Sequence, residues 1–141
     1  MKRILGLDVG DKKIGVAVSD PLDITAQGLA TFQRKNFKSD CETILAYCQQ
    51  YEVQTLLVGL PLNTVGEEGR QAKKVRFFAE SLQKVLQEKG FNIPFVFWDE
   101  SGTSNEAEAI LLEADLSRKK RKKVIDTLAA AIILQSYLDN R

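Results

Sequence analysis

The spacing of apolar and polar positions changes character about a quarter of the way along the chain. Near the N-terminus, "RILGLDV" is a short apolar run that stops at Gly10-Asp11-Lys12, a turn signal. In "KKIGVAVSD", Ile14, Val16 and Val18 alternate with Gly15, Ala17 and Ser19, so one face is β-branched and the other small. That pattern predicts a strand paired in a hairpin with the first. "AQGLATFQR", after the loop containing Pro21, reads as a third, weaker strand.

From about Ser39 the period lengthens. Ser39 to Tyr51 predicts a helix with Ser39 or Asp40 as N-cap and Cys41, Ile44, Leu45 and Cys48 as its apolar stripe. "TLLVGL" (55–60) is apolar throughout, the mark of a strand buried on both faces. After the loop "LPLNTVGEEG", a long amphipathic helix is predicted near 69–89, with Ala72, Val75, Phe78, Ala79, Leu82, Val85 and Leu86 inward and Gly90 ending it. "PFVFWD" is another strand. Thr103 and Glu106 form a capping box for a helix reaching about Ala114. The basic stretch "SRKKRKK" then leads into a final helix at roughly 122–139. The order βββ-α-β-α-β-α-α predicts an α/β fold in one domain, 1–141. Its mixed five-stranded sheet combines three antiparallel strands with two parallel ones, flanked by helices on both faces.

Composition narrows the chemistry. The chain has 141 residues, 44% hydrophobic and 28% charged, with a net charge of +1, the values of a folded globular protein. It contains no histidine, which removes Ser-His-Asp and Cys-His catalysis and His-ligated zinc. Cys41 and Cys48, seven apart on one helix, cannot make a four-ligand metal site and read as buried free thiols in a reducing cytoplasm. No apolar run is long enough for a membrane span.

Asp8 is the polar exception inside the first strand, and an uncompensated carboxylate there costs several kcal/mol. The D-x-G turn at 8–10, with Gly15 on the next strand, places that carboxylate beside space for a phosphate or a metal. Glu100 lies just past the carboxyl end of the last strand, the edge where α/β sheets gather their active residues; its neighbour Asp99 is the alternative. Asp126 precedes the Ala-rich face of the final helix by one turn, and its alternative role is to favour the helix dipole from the first turn. Three carboxylates without histidine make a hard-oxygen site suited to Mg²⁺ or Mn²⁺, and a divalent cation accounts for Asp8. Positive charge clusters at Arg118, Lys119, Lys120, Arg121, Lys122 and Lys123, and again at Arg70, Lys73, Lys74 and Arg76. With Lys12 and Lys13 these predict contacts to a phosphate backbone.

The ordered set "GLDVGDKKIGVAVSD", "LLVGLPLNTVGEEGRQAKKVRFFAE", "FWDESGTS" and "RKKRKKVIDTLAAAIIL" resembles the YqgF or RuvX-like family over nearly the whole chain. Members have an RNase H-like fold and are assigned as pre-16S rRNA nucleases and, earlier, as Holliday junction resolvases. The resemblance implies a metal-dependent nuclease in ribosome biogenesis, and maps the family's acidic triad onto Asp8, Glu100 and Asp126. Where the family commonly carries Arg and a larger residue after its Asp-Glu pair, this chain has Ser101-Gly102, which loses a cation beside the site. In the expected reaction Asp8 bridges two ions, Glu100 and Asp126 complete their shells, and Asn63 hydrogen-bonds substrate or stabilises its own turn. The expected partner is nucleic acid, precursor rRNA ahead of a DNA junction, with ribosome-assembly factors as further candidates. Monomer and homodimer both stay open. The rival functions are a DNA-junction resolvase, a non-catalytic nucleic-acid-binding module, and a nucleotide-binding kinase or ATPase lobe, for which the chain is too short.

Overall fold

Strand alternation decides which side chains point to which side of the sheet, and the resulting two faces set the architecture. The computed structural model describes residues 3–62, 65–100 and 118–141, the last with side chains from residue 128 onward. Its elements are β1 (Arg3–Val9), β2 (Lys13–Ser19), β3 (Ala26–Gln33), α1 (Phe37–Gln50), β4 (Val53–Leu60), α2 (Arg70–Glu88), β5 (Phe95–Asp99) and α3 (Arg118–Asn140). They form one mixed sheet in the order β3-β2-β1-β4-β5. β1 pairs antiparallel with β2, and β2 with β3. β4 runs parallel to both β1 and β5.

On one face Leu5, Leu7, Val9, Ile14, Val16, Val18, Leu56 and Val58 pack with Ile44 and Cys48 of α1 and Val75, Phe78 and Leu82 of α2. Burying each of the large aliphatic side chains contributes about 1.5–3 kcal/mol. On the other face Ile4, Ala17 and Leu57 pack with Ala130, Ile133, Leu134 and Leu138 of α3. Small residues let α3 come close. A methyl group at Gly6 would stand 3.1 Å from Leu134 Cβ and 3.6 Å from the Ala130 carbonyl oxygen. Gln135 ties α3 to β3 by accepting from the Ala26 N–H at 2.9 Å, and Ser136 ties it to β5 by accepting from Trp98 Nε1 at 3.1 Å. Among the described residues no helix is long and apolar enough to cross a membrane.

Two boundaries differ from expectation. α1 is capped by Asn36, whose side chain accepts from Ser39 N–H at 2.8 Å. Asp40, a candidate cap in the sequence, is instead buried and paired with Arg34, Nε to Oδ2 3.3 Å. α3 begins at Arg118, so the basic run is its opening turns and not a lead-in. Lys and Arg are good helix formers, but a run without apolar residues gives no periodicity to read. The expected helix at 103–114 lies outside the described residues.

Candidate active site

Asp8 sits on β1 opposite Gly15 of β2, half-buried on the face that α3 covers. Glu100 follows β5, and its N–H donates to the Leu60 carbonyl at 3.1 Å, keeping the chain alongside β4. Because β4 intervenes, the backbones of β1 and β5 are about 10 Å apart. Glu100 crosses that gap by lying over Gly59. A methyl at Gly59 would stand 2.5 Å from Glu100 Oε2, 3.2 Å from its Cδ and 2.9 Å from Ile133 Cδ1. The missing side chain is the slot through which Glu100 reaches Asp8.

The two carboxyl groups meet in a hydrogen bond. Burial pushes the Glu100 carboxyl up to about 8; the Asp8 charge, the hydrogen bond to Asp8 and the Asp99 charge act in the same direction. These surroundings favour the uncharged form of Glu100 beside Asp8. Asp99, the alternative carboxylate, is exposed. Asp126 is in α3, one turn before Ala130, and its side chain lies outside the described residues. It stands more than two turns from the helix start, given 3.6 residues per turn, and a dipole role confined to the first turn no longer applies. Ser101, Gly102 and Asn63 are likewise outside the described residues.

Of the predicted basic groups, two converge. Lys12 and Lys13 are at the β1–β2 turn, and Arg70, Lys73 and Lys74 are exposed on the opening turns of α2. Asp11 joins them: Lys74 Nζ is 3.8 Å from its Oδ1, and Gln71 Nε2 donates to the same oxygen at 3.4 Å. Arg76 is otherwise engaged, bidentate to Glu68 at 2.8 and 3.0 Å and stacked on Phe97 at 4.4 Å. Arg118, Lys119, Lys120, Arg121, Lys122 and Lys123 open α3, which covers the opposite face of the sheet from α2.

Two residues that sequence reasoning passed over shape the site. Gly59 had a signal, a glycine inside an otherwise apolar strand, which marks a close approach. Arg34 had none. It donates from a terminal guanidinium nitrogen to the Gly10 carbonyl at 2.8 Å, and its N–H donates to the Lys12 carbonyl at 2.8 Å, so it holds the D-x-G turn from below.

The donors fit a divalent cation. Asp8 and Glu100 present carboxylate oxygens at one point, and every influence that shifts Glu100 disfavours its charge. A divalent cation held by Asp8 and Glu100 would supply the missing compensation, and hard oxygen ligands suit Mg²⁺ or Mn²⁺. Among the described residues no cluster of three metal-ligating side chains occurs.

The family model described as "RuvX: Holliday junction resolvase" matches residues 2–140. A protein of Caldanaerobacter subterraneus is 53% identical over 140 residues, 99% of this chain and 97% of that one; it is named "Putative pre-16S rRNA nuclease". A Syntrophomonas wolfei protein of the same name is 50% identical over 137 residues, covering 97% of this chain and 94% of its own. Thermus thermophilus RuvC in complex with Holliday junction substrate is similar in structure, with a TM-score of 0.56 and 16% identity over 99% of this chain and 96% of that one. That likeness shows the fold, which is RNase H-like.

Proposed function

The chain belongs to the RuvX family, and on that premise we propose that it is a metal-dependent nuclease acting in maturation of the 5′ end of pre-16S rRNA in the cytoplasm. The observation that carries this reading is the Asp8–Glu100 pair, two carboxyls brought into hydrogen-bonding contact across an intervening strand at the price of a raised Glu100 pKa. Buried, mutually shifted carboxyls gather at functional sites, and phosphodiester hydrolysis by a metal uses carboxylates of this kind.

Asp8 and Glu100, with Asp126 on α3, are the residues to hold Mg²⁺ or Mn²⁺. A bound ion of this kind supplies activation of water and neutralisation of charge at the phosphorus. The chain's own groups position the substrate. Lys12 and Lys13 at the turn and Arg70, Lys73 and Lys74 on α2 take phosphates along one side of the carboxylate edge. Arg118, Lys119, Lys120, Arg121, Lys122 and Lys123, on the opening turns of α3, are the second group to take them. Such contacts fix register without reading bases.

The family description favours a second substrate, a four-way DNA junction. Cleavage of a 5′-extended precursor of 16S rRNA and of a DNA junction, each with Mg²⁺, Mn²⁺ or chelator, decides between them. Asp8→Asn is expected to lower the rate at least about 100-fold with either metal. Cleavage that persists in Asp8→Asn or in chelator overturns the reading. Salt-sensitive binding without cleavage under any metal makes the chain a binding module.

A further inference from the structure

The outer surface of α2 carries an aromatic side chain that the core does not use. Phe77 is 74% exposed, directly outside the apolar stripe formed by Val75, Phe78, Ala79 and Leu82. It borders two adjoining hollows of about 530 Å³ each. One is lined by Gly69, Arg70, Lys73 and Lys74 as well as Phe77. The other runs from Phe77 past Lys74 and Ser81 to Asp11, Arg34 and the Phe37 ring.

We infer that this surface is a stacking platform for an unpaired nucleotide of the substrate strand, with the base on Phe77 and the flanking phosphates on Arg70 and Lys73. The inference rests on the nuclease reading above and adds to it a preference for single-stranded over duplex nucleic acid. Three observations carry it. Aromatic faces stack with any base, and platforms of this type combine them with cations that track the backbone. Here the cations lie one helical turn away on the same element, Lys73 at i−4 and Lys74 at i−3 from Phe77. Charge also sorts the two hollows. Asp11 lies in the one and is matched by Lys74 at 3.8 Å, which leaves the hollow of Arg70 and Lys73 as the electropositive side for phosphate.

The platform also reaches the β1–β2 turn that follows Asp8, from the other face of the sheet. Asp11 is three residues beyond Asp8, at most about 10 Å of extended chain, and it touches both Gln71 and Lys74. A strand leaving the carboxylate edge over the β1–β2 turn therefore meets α2 at the turn that carries Phe77. The floor is stiff. Phe78 packs edge-on against Phe37 with centroids 5.8 Å apart, and Arg34 lies over the Phe78 ring at 4.7 Å.

The test measures binding of a short uridine oligonucleotide and of an RNA duplex of equal length to the full chain in chelator. Phe77→Ala is expected to weaken the single strand roughly 5- to 150-fold, corresponding to ~1–3 kcal/mol per stacked base. It should leave the duplex affinity and the salt dependence unchanged. Phe77→Trp should restore the single strand, with quenching of the added indole fluorescence on binding. The Arg70→Ala, Lys73→Ala pair should weaken both ligands and flatten the slope of the salt dependence by about 0.7 for each phosphate no longer neutralised. Phe77 is exposed, so its variants should melt with the parent protein. Unchanged single-strand affinity in Phe77→Ala overturns the platform. That result is separable from failure of the nuclease reading, which shows as cleavage surviving Asp8→Asn while the Phe77 effect on binding stands.

Discussion

Among the described residues, Asp40 and Glu100 are both withdrawn from water, and they are treated in opposite ways. Asp40 is only 3% exposed and is fully provided for: Arg34 Nε lies 3.3 Å from one oxygen, and the Lys35 N–H donates to the other at 3.2 Å. Glu100 is less deeply buried, yet it is aimed at another carboxyl, with Asp99 adding to the repulsion. A buried charge persists when it is paired, and otherwise it neutralises. At Asp40 the chain supplies its own cation. At Glu100 the described surroundings supply only negative charge and a proton. The difference separates a group kept for the fold from one kept for something that arrives from solution.

The largest way to sharpen this contrast is at Gly59. Gly59→Ala puts a methyl 2.5 Å from Glu100 Oε2 and 2.9 Å from Ile133 Cδ1, so the carboxyl must shift against Asp8. A displacement of about 1 Å at a reacting centre costs on the order of 100-fold in rate. We expect a loss of that size in cleavage, with the melting temperature only modestly lowered. Full activity in Gly59→Ala would mean that the Asp8–Glu100 contact is incidental.

The second test acts on the other member. Asp40→Ala strips Arg34 and the Lys35 N–H of their acceptor beneath the D-x-G turn. Arg34 keeps some access to water, so the cost should be about 2 kcal/mol in urea unfolding, less than for a deeply buried pair. Per folded molecule, cleavage should fall far less than in Gly59→Ala. An activity loss that outruns the stability loss would place Asp40 in the functional machinery and erase the distinction.

How much of this is legible in the sequence follows the same line. The five strands along the chain, three antiparallel and then two parallel, are, because alternation in Ile14-Val16-Val18 and the unbroken run of "TLLVGL" are local patterns that the sheet then uses; the spatial order β3-β2-β1-β4-β5 is not. The cap of α1 is not, because Asn36, Ser39 and Asp40 are all capping types, and choosing among them depends on Arg34 arriving from beyond β3. The start of α3 is hidden because six like charges carry no period. The residue types of the site are visible in Asp8 and Glu100, but their meeting is not. It depends on a neighbouring strand having no side chain at Gly59, a fact about three strands at once. In the sequence Phe77 is no more than an aromatic off the apolar stripe; only its neighbours in space give it a use.

The smallest expected effect is on stability, and it has the opposite sign from Asp40→Ala. Glu100 is an acid whose folded-state pKa is raised from 4.5 to about 8, so the folded chain binds its proton more tightly than the unfolded chain does. Where the native state holds more protons, stability falls as pH rises. The contribution is intact below about pH 4.5 and is lost progressively toward pH 8. Glu100→Gln keeps the shape and a hydrogen-bond donor for Asp8 while removing the titration. In chelator the variant should show less loss of stability across that window, and at its upper end should exceed the parent protein by about 1 kcal/mol, the linkage being reduced by relaxation of the side chain toward water. Adding Mg²⁺ should raise the parent more than the variant, because only the parent has a second charge to offer. Parallel pH profiles would show that Glu100 ionises freely in the folded chain. The site would then resemble Asp40, a carboxylate already provided for, and a cation at this edge would have only Asp8 and Asp126 to hold it.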